Sequence, residues 1–99
     1  MDQTALSPVT NYTLAITAAD GTTAKQSLGV GKTFRLVASA DMFVAFGIGA
    51  APTAATTTDM FLPANSPEYF YVEHDGTGAV YVSGIVATGT ATLYATLMA

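Results

Sequence analysis

The only run of adjacent acidic and imidazole side chains in the sequence is Glu73-His74-Asp75. On a β-strand Glu73 and Asp75 would share one face and His74 would point to the other, because strand side chains alternate. A metal site needs several such ligands together, yet His74 is the only histidine and cysteine is absent. Asp75, followed by Gly76, is better explained as the first residue of a turn. We therefore predict no metal site, with adventitious cation binding by the carboxylates as the alternative.

Nucleophilic catalysis would require a serine assembled in space with His74 and a carboxylate. None of the five serines has the sequence context of a nucleophile elbow. They are Ser7, Ser27, Ser39, Ser66 and Ser83. A glycosidase would need a facing pair of carboxylates, but there are only seven acids and several lie in evident turns. The sequence thus predicts that the chain is not an enzyme and holds no cofactor.

Two glycine-containing segments match nucleotide-binding loops only in part. Gly31-Lys32-Thr33 fits the end of a phosphate-binding loop, but Gln26 stands where the first glycine belongs and a strand-like segment follows instead of a helix. Gly47-Ile48-Gly49 could begin a dinucleotide fingerprint, but Pro52 occupies the last glycine position. Turns between strands explain both segments better.

The composition is unusual in how few charges it holds. Charged residues make up 10% of the chain, whereas hydrophobic residues make up 51%; soluble domains typically have about 25% charged residues. Sixteen threonines supply much of the polarity, and the net charge is −4. Because charge keeps free proteins apart, a neutral, threonine-rich exterior favours a chain that packs against other chains, with a small acidic domain that has a threonine-rich surface as the alternative. With three cations in total, the chain lacks the basic surface that nucleic acid requires.

Hydrophobic residues recur with a period of two, which predicts strands rather than helices. The predicted strands cover residues 11–18, 24–28, 33–39, 42–48, 60–62, 68–74, 79–86 and 90–98. Residues 49–58 lack periodicity and are predicted to form a loop. Asp20-Gly21 and Asp75-Gly76 predict hairpin turns. We therefore expect an all-β, single-domain antiparallel β-sandwich or jelly-roll-like barrel of about 7–8 short strands over residues 11–99, preceded by an N-terminal arm over residues 1–10.

The N-terminus has no basic or apolar region typical of a secretion signal, and no apolar run approaches the roughly 20 residues of a membrane span. Synthesis in the cytoplasm without a membrane partner is therefore expected. The final strand is predicted to be an edge strand, since no charge occurs between Asp75 and the end of the chain and uncharged edges invite pairing with another chain.

The outward side chains of the last predicted strands form the candidate interface. Tyr69, Tyr71 and Tyr81 would line a hairpin as an aromatic strip that anchors a protein or stacks on a sugar, with ordinary cross-strand pairing as the structural alternative. On the final strand the outward residues are Thr90, Thr92, Tyr94 and Thr96.

The second half of the chain resembles small virion proteins of tailed bacteriophages, in particular capsid decoration or cement proteins. The resemblance covers roughly residues 33–98. It lies in Pro67-Glu68-Tyr69-Phe70-Tyr71-Val72, a glycine-containing turn, Ala79-Val80-Tyr81-Val82 and Gly89-Thr90-Ala91-Thr92-Leu93-Tyr94-Ala95-Thr96. It implies a structural protein on the capsid surface of the virion that binds the major capsid protein, often as a trimer. A tail or head–tail connector protein and a carbohydrate-binding module are the alternatives.

Overall fold

The computed structural model describes residues 8–18 and 25–98, which form eight β-strands and no helix. In chain order they are β1 (Pro8–Thr17), β2 (Lys25–Ser27), β3 (Thr33–Ala38), β4 (Met42–Ile48), β5 (Met60–Leu62), β6 (Glu68–Tyr71), β7 (Val80–Ile85) and β8 (Thr90–Met98). The all-β prediction is confirmed, and each predicted strand has a counterpart within a few residues of its predicted ends.

The strands form two four-stranded sheets. The first sheet has the order β1-β8-β3-β6, and the second has the order β2-β7-β4-β5. Every pairing between these strands is antiparallel. The inward faces of the two sheets share one hydrophobic cluster, so the predicted β-sandwich is confirmed.

The pairing follows a simple rule along the chain: β1 pairs with β8, β2 with β7, β3 with β6, and β4 with β5. The chain therefore behaves as one long antiparallel ribbon, turned back between β4 and β5. Successive segments of that ribbon alternate between the two sheets, and the pairings β3–β8 and β4–β7 complete each sheet. This is the jelly-roll topology.

Alternation along the strands places the core. In β8 Leu93 and Ala95 are buried and Tyr94 between them is exposed, because successive side chains point to opposite faces. Across the sandwich an aromatic row joins the sheets. The rings of Phe34 and Phe46 lie 6.1 Å apart between centroids, and those of Phe46 and Phe70 lie 5.5 Å apart.

The predicted hairpins are wrong, although the predicted strands are present. The segment at Asp75-Gly76 joins β6 in the first sheet to β7 in the second, so these strands do not pair. Likewise β1 and β2 belong to different sheets, and the Asp20-Gly21 turn itself lies outside the described residues. A turn signal specifies a local reversal of the chain, but not which strand becomes the neighbour.

The prediction that the final strand is an edge strand is also wrong. β8 lies between β1 and β3; it pairs with β1 along its whole length and with β3 from Leu93 to Met98. The edges of the first sheet are β1 and β6, and those of the second are β2 and β5. Of the predicted arm over residues 1–10, residues 8–10 belong to β1 as described, and residues 1–7 lie outside the described residues.

The predicted loop over 49–58 is confirmed, and it folds back onto the outer side of the second sheet. A side chain on Gly47 would overlap the backbone of Ala50 and approach Pro52. Ala54 in this loop is fully buried but lies outside the main hydrophobic cluster. Ser83, which points outward from β7, is fully buried, and its hydroxyl has no hydrogen-bond partner among the described residues.

Candidate functional site

The outer face of the first sheet gathers most of the predicted interface residues. Two cross-strand rows, together with Tyr71 two residues beyond Tyr69 on β6, define this surface, which we call the outer face. One row runs Asn11, Thr96, Arg35, Tyr69 across all four strands; the other runs Thr13, Tyr94, Val37. These residues come from segments far apart in the sequence, and the roll of the ribbon brings them together.

Three of the four predicted tyrosines lie on the outer face. Tyr69, Tyr71 and Tyr94 are 58%, 61% and 48% exposed, so large aromatic surfaces are open to a partner. Tyr81 is different, because it lies on β7 in the second sheet, opposite Ser27 and Gly47. It is half-buried rather than exposed. The predicted strip of Tyr69, Tyr71 and Tyr81 is therefore wrong, because the strands of the presumed hairpin belong to different sheets.

The predicted threonines of β8 have three different environments. Thr90 is exposed, and Thr92 is half-buried beside Ser39, whose hydroxyl accepts a hydrogen bond from the Thr92 N–H at 2.8 Å. Thr96 points outward but is only 8% exposed, and its hydroxyl donates to Oδ1 of Asn11 at 2.8 Å. Thr96 therefore stabilises the pairing of β1 with β8 and offers a partner little contact area, because β8 is internal and the neighbouring strands cover this side chain.

A depression of about 440 Å³ lies at the centre of the outer face. It is lined by residues of three strands: Asn11, Tyr12 and Thr13 of β1, Tyr94 and Thr96 of β8, and Arg35 and Val37 of β3. This volume falls within the roughly 300–1,000 Å³ of small-molecule sites. Its lining combines one guanidinium, one amide and several hydroxyls with apolar side-chain surface.

Arg35 is the only charged residue of the outer face. It is half-buried, and within residues 8–18 and 25–98 its guanidinium forms no ion pair or hydrogen bond. An arginine presents five donors in a planar fork that fits carboxylate or phosphate groups. The depression can therefore bind an anionic group. Arg35 was not among the predicted interface residues, although alternation along residues 33–39 places it on the side opposite Phe34 and Leu36.

The Glu73-His74-Asp75 run forms a loop rather than a site. His74 accepts a hydrogen bond at Nδ1 from the Gly76 N–H at 3.0 Å, so its other nitrogen, Nε2, carries the proton and donates to the Gly31 carbonyl at 2.6 Å. The ring thereby joins the loop after β6 to the loop before β3. Among the described residues no group of three or more potential ligands could hold a metal ion.

The Asp75 carboxylate closes the turn as predicted. Its Oδ1 accepts hydrogen bonds from the backbone N–H and the hydroxyl of Thr77, at 2.9 and 2.7 Å. Donation from the Thr77 backbone, and then from its hydroxyl, lowers the pKa of Asp75 below its ordinary value. A lowered pKa in the folded state means that this turn stabilises the fold at neutral pH and that the contribution is lost in acid, below about pH 4.

Comparison with protein-family models, curated proteins and solved structures found no match to this chain. Across the part of the chain that the structure describes, no helix is long and apolar enough to cross a membrane.

Proposed function

We propose that this chain is a structural virion protein that decorates a phage head by binding the major capsid protein through the outer face. The observation that carries the proposal is the character of that face. It spans four strands, exposes Tyr69, Tyr71 and Tyr94, and holds Arg35 as its only charge. Tyrosine and arginine are enriched in protein interfaces, where other charged residues are depleted.

Binding of this kind needs no chemical step. Tyrosines supply apolar area together with a hydroxyl, and few rotatable bonds are immobilised when they are buried. Arg35 pairs with a carboxylate of the capsid protein, which fixes the orientation of the contact. Burial of apolar area contributes about 25 cal/mol per Å² before the entropic cost of association is subtracted. A lattice of identical contacts adds these increments over the whole head.

In the test, the purified chain is added to heads of its proposed phage that were assembled in the absence of the chain. We expect the chain to cosediment in proportion to the capsid protein and to raise the temperature at which the heads disassemble. Tyr94→Ala should weaken binding by about tenfold or more, because truncating a tyrosine at an interface hot spot costs about 2 kcal/mol or more.

Phe61→Ala is the matched control, since Phe61 is 51% exposed but lies on the second sheet. It should bind heads as the unchanged chain does. Heads that never retain the chain would contradict the decoration function. Binding that depends on Phe61 and not on Tyr94 would move the interface to the second sheet.

The depression supports a second candidate function, binding of an acidic carbohydrate. The specific observation is that Arg35, which has no ion pair or hydrogen bond among the described residues, lies beside Tyr94 and Asn11 in a depression of ligand size. The guanidinium would pair with a sugar carboxylate, the ring of Tyr94 would stack on the sugar, and the Asn11 amide would bond to hydroxyls. Jelly rolls occur in lectin domains as well as in viral capsids, which is an analogy of fold alone.

Calorimetric titration with oligogalacturonate tests this candidate, with the fully methyl-esterified oligosaccharide as the uncharged probe. If the site takes acidic sugars, the charged probe binds and the ester does not. Arg35→Gln should then weaken binding by about ten- to a hundredfold, the effect of one charge-assisted hydrogen-bonded pair. Equal binding of both probes, or no change in the variant, would refute a carboxylate-specific site.

A further inference from the structure

The four free edges of the sandwich differ in how they are protected from pairing. Proteins usually blunt an edge strand by shortening it or by placing charges or proline on it, because its unpaired backbone groups would otherwise recruit another strand. In the second sheet β2 has three residues and begins at Lys25, and β5 has three residues between Asp59 and Pro63. β5 is therefore blunted, and the described part of β2 offers only three residues for pairing.

The edges of the first sheet are unequal. β6 has four residues, follows Pro67 and begins with Glu68, so it is blunted in the same way. β1 has ten residues and carries no charge. Its only proline is the first residue, Pro8, and the irregular pairing with β8 is confined to Pro8–Thr10. The stretch 10–16 is therefore a regular strand with β8 on one side and no paired strand on the other among the described residues.

We infer that β1 pairs in solution with β1 of a second copy of this chain, antiparallel and across a twofold axis. A symmetric dimer uses the same surface on both copies, and among the described strands β1 is the long uncharged edge on which two unprotected copies can meet. A cyclic trimer, as the phage resemblance implies, would join two different surfaces. If a trimer formed through strand edges, each copy would have to pair its β1 with a short or charged edge of the next copy.

This pairing would join the two first sheets into one sheet of eight strands. The outer faces would become continuous, with Asn11 and Thr13 of each copy beside the junction and the two depressions on either side of it. Because strands lie about 4.8 Å apart, the two Arg35 residues would be five strand spacings apart, or roughly 24 Å. The dimer therefore leaves both guanidinium groups available to a partner.

Light scattering after size-exclusion chromatography, over a concentration series, tests the inference on the full chain. We expect a mass that rises from 10.1 kDa to twice that value with concentration. Ala15→Lys adds a charge to the exposed side of β1 and should weaken the dimer by about tenfold or more, as charged residues do on natural edges. Ala87→Lys makes the same change at an exposed site between β7 and β8 and should dimerise normally.

Amide hydrogen exchange tests the pairing on the unchanged chain, so the result does not depend on how a substitution affects folding. Alternate amides of residues 10–16 point away from β8, and their protection should increase with concentration. A monomer at every concentration, a trimer, or a dimer whose β1 amides stay unprotected would overturn the inference. A monomer that binds heads would contradict the dimer and leave the proposed function intact. A dimer that does not bind heads would contradict the proposed function and leave the dimer intact, so the two proposals can fail separately.

Discussion

Replacing Phe34 with alanine is expected to lower the free energy of unfolding by about 3–5 kcal/mol. Phe34 is fully buried in β3, where it lies opposite Leu97 of β8 and Phe70 of β6, and its ring approaches that of Phe46 in the other sheet. Its loss removes contacts to both sheets and leaves a cavity that a paired β-structure cannot collapse around. Small domains have about 5–15 kcal/mol of total stability, so the variant should be close to unfolding.

Urea denaturation with linear extrapolation would measure this loss. Phe61→Ala removes the same side chain from the outer side of the second sheet, where Phe61 is about half exposed beside Phe43. That control should cost about 1 kcal/mol or less. Equal losses in the two variants would show that the centre of the sandwich does not lie at Phe34.

Gly47→Ala is expected to destabilise the protein by about 1–3 kcal/mol, a large effect for the addition of one methyl group. A Cβ at this position would overlap the carbonyl oxygen of Ala50 and lie 2.9 Å from Cδ of Pro52. The backbone after β4 would have to move, and with it the loop that covers the second sheet. Urea denaturation again gives the magnitude, and faster amide exchange in β4 would show where the change acts.

Gly31→Ala is the matched control for this prediction. A Cβ at Gly31 would also overlap a neighbour, but that neighbour is Cδ1 at the end of the Leu97 side chain. Leu97 is only partly buried and can change rotamer, whereas a backbone carbonyl cannot. The cost at Gly31 should therefore be clearly smaller, and the reverse order would contradict the role assigned to the backbone at Gly47.

The candidate site shows where prediction from sequence succeeded and where it stopped. Alternation correctly placed Tyr69, Tyr71 and Tyr94 on exposed sides of their strands, because the direction of a strand side chain depends only on local backbone geometry. The grouping of Tyr81 with Tyr69 failed because it depends on which strands are neighbours. The depression could not be predicted at all, since its walls come from three strands that are distant in the sequence.

The sequence by itself determined that this chain is all-β, where its strands lie and, on the strands with clear alternation, which side chains point outward. These properties follow from a two-residue period and from turn-forming residues, which act over a few positions. Only the tertiary structure decided that β8 is internal, that β1 is the long uncharged edge, and that Arg35 lies without a charged partner among the described residues at the centre of a tyrosine-bearing face. Strand pairing in a jelly roll joins residues that are separated by up to nearly the full length of the chain. No local sequence pattern shows which of these residues become neighbours.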